Sequence, residues 1–92
     1  MTDTGFLRAQ NGVFIINDTV EKTGRFEGIY VSSDAVIARL EVESDTGTDV
    51  KDNYIAVAAT AIPAGTLITP TGEDDYFSGV TLTSGTVTLI LA

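Results

Sequence analysis

With 92 residues, no cysteine, no histidine and thirteen acidic against five basic side chains, this chain has the length of one acidic domain. The lack of Cys excludes disulfides, thiolate metal sites and thiol redox chemistry; the lack of His excludes histidine acid–base catalysis, Ser-His-Asp triads and the usual zinc ligand sets. Folding at this length removes only about two-thirds of the unfolded surface from water, so the core is small and partners commonly supply part of it.

The formal net charge is −8, and Arg8, Lys22, Arg25, Arg39 and Lys51 are scattered along the chain. Phosphate contacts need clustered Lys and Arg, so neither nucleic acid nor an anionic membrane is expected as a partner. The charge favours solubility. The opening MTDTGFLRAQ has no basic region followed by an apolar run, so no signal peptide is expected. Residues 1–11 are expected to form an extended or flexible N-terminal arm. No apolar run approaches the roughly 18 residues of a membrane helix.

In chain order, GVFII (12–16) is a short apolar strand that stops at the turn-like NDT of Asn17 to Thr19. RFEGIYVS (25–32) alternates, with Phe26, Gly28 and Tyr30 on one side and Glu27, Ile29 and Val31 on the other. Beyond Asp34, AVIARLEVE (35–43) places Val36, Ala38, Leu40 and Val42 on one face and Ile37, Arg39, Glu41 and Glu43 on the other. Period-2 alternation marks half-buried strands. The competing reading of 34–43 is a short amphipathic helix capped by Asp34; β-branched content and alternation favour the strand. SDTGTDVKDN (44–53) reads as a polar loop, YIAVAATAI (54–62) as a strand of small and branched residues, and PAGT (63–66) as a turn opened by Pro63. LIT (67–69) is a brief strand before the polar loop PTGEDD (70–75).

The chain closes with FSGVTLTSGTVTLILA. Ser84-Gly85 suits a two-residue hairpin loop, which would pair Thr83 with Thr86, Leu82 with Val87, Thr81 with Thr88 and Val80 with Leu89. Val80, Leu82, Val87, Leu89 and Leu91 then form the core face. The opposite face is a threonine ladder with Phe77 and Ile90 at its open end, facing water or a second copy. The residues expected at a subunit contact are Phe77, Thr81, Thr83, Thr86, Thr88, Ile90 and Leu91. The whole reads as all-β: a small sandwich or barrel of about seven short antiparallel strands with a C-terminal hairpin.

No catalytic, cofactor or metal site assembles from these residues. Asp45, Asp49 and Asp52 share a Gly-containing loop of the kind hard cations use, but their spacing does not match a calcium loop, and a solvated acidic loop is the better reading. Glu73, Asp74 and Asp75 are adjacent, whereas glycoside chemistry needs two carboxylates held apart across a cleft. Ser32-Ser33-Asp34 and Ser84-Gly85 carry hydroxyls but no base to activate them, and both read better as turns. The aromatic residues are spread evenly and form no stacking stripe.

Three pieces in order, RFEGIYVSSDAVIARL, IPAGTLI and YFSGVTLTSGTVTLI, resemble an arrangement in small virion structural proteins of tailed bacteriophages. Such proteins carry an aromatic-Gly-Ile strand, here Phe26 to Ile29. They carry a later IPAGT turn, here Ile62 to Thr66, and a closing F-x-x-(I/V)-x-L-x-S-G-x-V stretch, here Phe77 to Val87. The resemblance spans roughly residues 25–92. It implies a non-enzymatic head-decoration or tail-associated role, with the major capsid protein or another virion protein as partner. It also implies a homo-oligomer on the capsid exterior, made in the host cytoplasm, with no cofactor. A trimer is the expected state, because a capsid lattice offers three-fold positions. The apolar end LILA departs from the more polar tail of similar proteins. Two other classes compete: a receptor- or glycan-binding module of a tail or head fibre, and a small accessory domain of an enzyme.

Overall fold

The computed structural model describes residues 12–72 and 74–92. The expected arm of residues 1–11 lies outside them, as does Glu73. Among the described residues four strands form: β1 (Val13–Ile16), β2 (Lys22–Val42), β3 (Leu67–Ile68) and β4 (Phe77–Leu91), with a 3-10 turn at Lys51–Asn53. They pair antiparallel in one sheet of order β1-β4-β2-β3. The protein is all-β, as the alternation predicts. The count differs from the seven short strands expected, because β2 and β4 bend where the sequence suggests breaks.

β2 and β4 form a two-stranded ribbon. Along it Phe26 faces Leu91, Ile29 faces Leu89, Val31 faces Val87, Ile37 faces Leu82, Leu40 faces Val80 and Val42 faces Phe77. The start of β2 also lies along the other edge of β4, with Lys22 beside Val80 and Phe26 beside Phe77. Phe26 is thus paired to both ends of β4, and the ribbon closes on itself around one core.

Strands turn such corners where an extra residue relaxes the ladder. Asp34 and Ala35 of β2 stand opposite the single Gly85 of β4, between the pairs Ser33–Thr86 and Val36–Ser84. Gly85 has φ +87°, a conformation glycine adopts without steric cost. The expected hairpin at Ser84-Gly85 is therefore corrected: β4 runs through both residues as one strand. A hairpin would satisfy only its own short arms, whereas β2 offers β4 a ladder along its whole length. The inward face is nonetheless the expected one, with Val80, Leu82, Val87 and Leu89 all buried. Hairpin and corner both shift the phase of the alternation between Leu82 and Val87.

Further extra residues shift the phase elsewhere. Along the ribbon, Glu27, Ser32 and Ala38 are unmatched in β2, and Ser78 and Thr83 in β4. Phe26 and Ile29 consequently both point inward, although strict alternation assigns them to opposite sides. Ile37, not Val36 or Ala38, joins Leu40 and Val42 in the core. No helix forms over 34–43. Ten large side chains are less than 2% exposed: Phe26, Phe77, Ile29, Ile37, Leu40, Leu82, Leu89, Val31, Val80 and Val87. Burial of each stabilises by about 1.5–3 kcal/mol.

The connection 43–76 wraps the ribbon. Val50 N–H donates to the Leu40 carbonyl at 2.7 Å, and Ile62 and Ala35 exchange two backbone bonds of 2.7 and 3.0 Å. The strand expected over 54–62 is corrected: these residues form turns, and only Ile62 bridges to β2. Four of the nine are alanine, which offers a sheet little to pack. The PAGT turn is present, with Gly65 at φ +93°.

Candidate interaction surface

β1 follows from four consecutive strand-forming residues, Val-Phe-Ile-Ile. It ends in an Asp18 turn, whose Oδ1 accepts from Val20 N–H at 3.1 Å. Among the described residues the strand pairs with β4 on one side only, so it is a sheet edge there. Leu91 N–H donates to the Gly12 carbonyl at 3.0 Å. Bonded pairs alternate in an antiparallel ladder. Gly12, Phe14 and Ile16 therefore bond to β4, while the backbone groups of Val13 and Ile15 point away from the sheet.

Its side chains are exposed as well. Val13 is 51%, Phe14 43% and Ile15 56% accessible, and nearby Val20 67%; only Ile16 reaches the core. Phe14, Ile15 and Val20 line a shallow hollow of about 240 Å³ together with Asn17, Asp18, Glu21 and Lys22. Lys22 Nζ sits 4.1 Å from the centre of the Phe14 ring, a cation–π contact that covers one side of the aromatic face. Edge strands are ordinarily blunted by shortness, Pro, Lys or a bulge. β3, at the far edge, is two residues long. β1 carries none of the other devices.

Another hollow, of about 380 Å³ and mostly apolar, lies over the 54–68 connection, lined by Tyr54, Ile55, Val57, Ile62, Pro63 and Ile68 among others. Val57 is its most exposed large side chain, at 61%.

The residues expected at a subunit contact fall into two groups. Thr81, Thr86, Thr88 and Leu91 are half-buried and Thr83 is exposed, so the threonine face does reach the surface. Ser32 and Thr88 share a hydroxyl–hydroxyl hydrogen bond of 2.9 Å on it. Phe77 is fully buried and Ile90 6% exposed. Phe77 is corrected from the threonine face to the core. Ile90 stays on the face of Thr88, buried beside Gly28 and outside the core cluster. The Phe77 ring packs edge-on against Tyr54 at 5.4 Å.

The acidic loops hold the fold together. Asp49 Oδ1 accepts from Leu40 N–H (3.1 Å) and Lys51 N–H (3.0 Å), and Oδ2 from Lys51 Nζ at 2.6 Å. Burial pushes this carboxyl up, but the three hydrogen bonds outweigh it and hold Asp49 below its ordinary value. Asp75 accepts from Ser44 Oγ at 2.6 Å and from Ser44 and Tyr76 N–H, and these bonds hold it low too. Glu41 is held low by Gly47 N–H and Arg39. Asp45 accepts from Thr48 Oγ1. Among the described residues no three acidic side chains converge as metal ligands.

The basic residues are spoken for in the same way. Arg25 lies 3.9 Å over the Tyr76 ring and 3.1 Å from Glu43. Arg39 bonds Glu41 and the Gly47 carbonyl, and Lys51 bonds Asp49. The described cations are thus turned towards groups of their own chain, and they are not gathered into a patch.

β1 was legible as a strand but not as an open edge. The available signal was an apolar run of four with no Lys or Pro within it. Comparison with protein-family models, curated proteins and solved structures returned no match.

Proposed function

We propose that this chain is a non-enzymatic virion structural protein of a tailed bacteriophage, decorating and stabilising the capsid as a homo-oligomer. The observation that carries the reading is where its three phage-like segments meet. Gly85, from the closing segment, packs against Asp34 and Ala35 of the first. Ile62 of the turn segment bridges to Ala35, and Ala64 N–H donates to Asp34 Oδ1 at 3.0 Å. Segments far apart in sequence thus build one corner, as parts of a single structural signature do. The open apolar edge and the mostly apolar hollow over the 54–68 connection suit a protein that works by burying surface against neighbours.

Mechanistically, such a protein needs no chemistry. Many copies bridging adjacent coat subunits would each lower the free energy of the expanded lattice, and opening the shell would require breaking them together. The test is co-sedimentation with expanded, undecorated heads of tailed phages. Binding that saturates at a fixed ratio to coat subunits supports the proposal. Protein left wholly in the supernatant, or retained instead on a glycan array or host cell surface, sinks it.

A further inference from the structure

We infer that the outer edge of β1 pairs with the β1 of a second copy, antiparallel and about a two-fold axis through Phe14. The inference does not depend on the capsid reading. The free backbone groups belong to Val13 and Ile15, because Leu91 N–H on Gly12 fixes which residues bond inward. Antiparallel pairing of two such edges must match outward-pointing residues with each other. The register that uses both sets Val13 against the partner's Ile15, Ile15 against the partner's Val13, and Phe14 against the partner's Phe14. Four backbone hydrogen bonds form, and apolar faces apolar at every position.

Charge permits it despite the net −8. Asp18 and Glu21 are the acids that line the hollow beside β1, and Glu21 turns its carboxylate onto Gly79 of β4. Antiparallel pairing sends the two Asp18 carboxylates to opposite ends of the joined strands. They would lie more than about 20 Å apart, well past the ~8 Å screening length at physiological salt. A parallel pair would bring them together. Size sets the strength. Val13, Phe14, Ile15 and Val20 are each about half exposed. At on the order of 100 Å² apiece, a symmetric pair covers roughly 800 Å², below the ~1,200 Å² where stable complexes begin. The dimer is therefore weak and concentration-dependent, and differs from the three-fold ring that the resemblance implies.

The lack of native cysteine gives a clean test, since any disulfide in a single-cysteine variant joins two chains. Phe14→Cys places two thiols in a non-hydrogen-bonded pair with Cα atoms ~4.5 Å apart, within the span a disulfide bridges. Val57→Cys, similarly exposed but on the other hollow, is the control. In the full-length chain the Phe14→Cys variant should cross-link at least roughly tenfold faster than the Val57→Cys variant, because pairing raises the effective concentration of its thiols. Sedimentation equilibrium of the unmodified protein should show dimer growing from micromolar to millimolar concentration. Ile15→Lys should abolish it with an unchanged circular dichroism spectrum. Equal cross-linking rates, a monomer at every concentration, or a trimer that Ile15→Lys leaves intact each overturn the inference.

Discussion

Gly85→Ala tests the corner on which the fold depends. A methyl group there would overlap the Asp34 carbonyl oxygen and come within 2.5 Å of Ala35 Cα and 2.7 Å of its Cβ. Most of these atoms are backbone, so no flexible side chain can yield. Alanine also pays about 1–2 kcal/mol for the left-handed conformation that Gly85 holds. Overpacking adds typically 1–3 kcal/mol. The sum, roughly 2–5 kcal/mol, is a large share of the ~5–14 kcal/mol that a chain of this size commands. The control is Gly47→Ala: its φ is also +87°, but nothing lies within 4 Å of the new methyl. Urea denaturation followed by circular dichroism should place Gly85→Ala about 1–3 kcal/mol below Gly47→Ala. A hairpin turn at Ser84-Gly85 would leave that methyl in solvent and make the two variants alike. Equal midpoints for the two variants would therefore refute the continuous bent strand.

Three other outcomes follow from the same geometry. Leu89→Asp, at a fully buried site, should unfold the monomer at a cost of several kcal/mol, whereas half-buried Leu91→Asp should leave it folded with a lower midpoint; equal losses would contradict the register of β4. Ser78 Oγ is buried without a hydrogen-bond partner among the described residues, so Ser78→Ala should raise stability by about 1 kcal/mol; a loss in thermal melts would show that the hydroxyl has a partner. Asp49, Asp75 and Glu41 are all held below ordinary carboxylate values when folded. The stability they contribute is present above their unfolded pKa of about 4 and drains as pH falls through the lower folded values. Urea midpoints should drop steeply below that pH, and less steeply in Asp49→Ala; an unchanged slope in the variant would remove Asp49 from the account.

How far the sequence could be read depended on whether a feature was local. Val80, Leu82, Val87 and Leu89 were identifiable as inward because a hairpin and a bulged corner shift the alternation alike. Their pairing partner was not, because the choice between β4's own other half and β2 is made across the fold. The same holds inside β2, where the unmatched Glu27 and Ala38 move Ile29 and Ile37 into the core against strict alternation. The run Tyr54 to Ile62 reads as strand from its small and branched side chains, yet only Ile62 of it bridges to β2, where β3 takes the neighbouring place. For the interaction surface, Val13 to Ile15 showed their strand character locally. Their openness is a property of sheet order, which places β1 outermost. Phe77 was misplaced for a related reason: the unmatched Ser78 puts it in the core rather than in line with the threonines.

The ribbon of β2 and β4 also has a cost in time. Its arms are joined by the whole of residues 43–76, so no tight turn starts their pairing. A hairpin forms in about 1–10 μs, whereas all-β chains dominated by non-local pairing take milliseconds to seconds. The shortest loop is closed by Val42 and Phe77, so zipping should begin there, pass the Gly85 corner and finish where Phe26 meets Leu91. Until it finishes, VTLTSGTVTLIL waits unpaired, a stretch with high strand propensity, no charge and no proline. Such a segment invites assembly between nascent chains. The acidic excess elsewhere in the sequence then acts before the native state exists, keeping unfinished molecules apart while β4 finds its place.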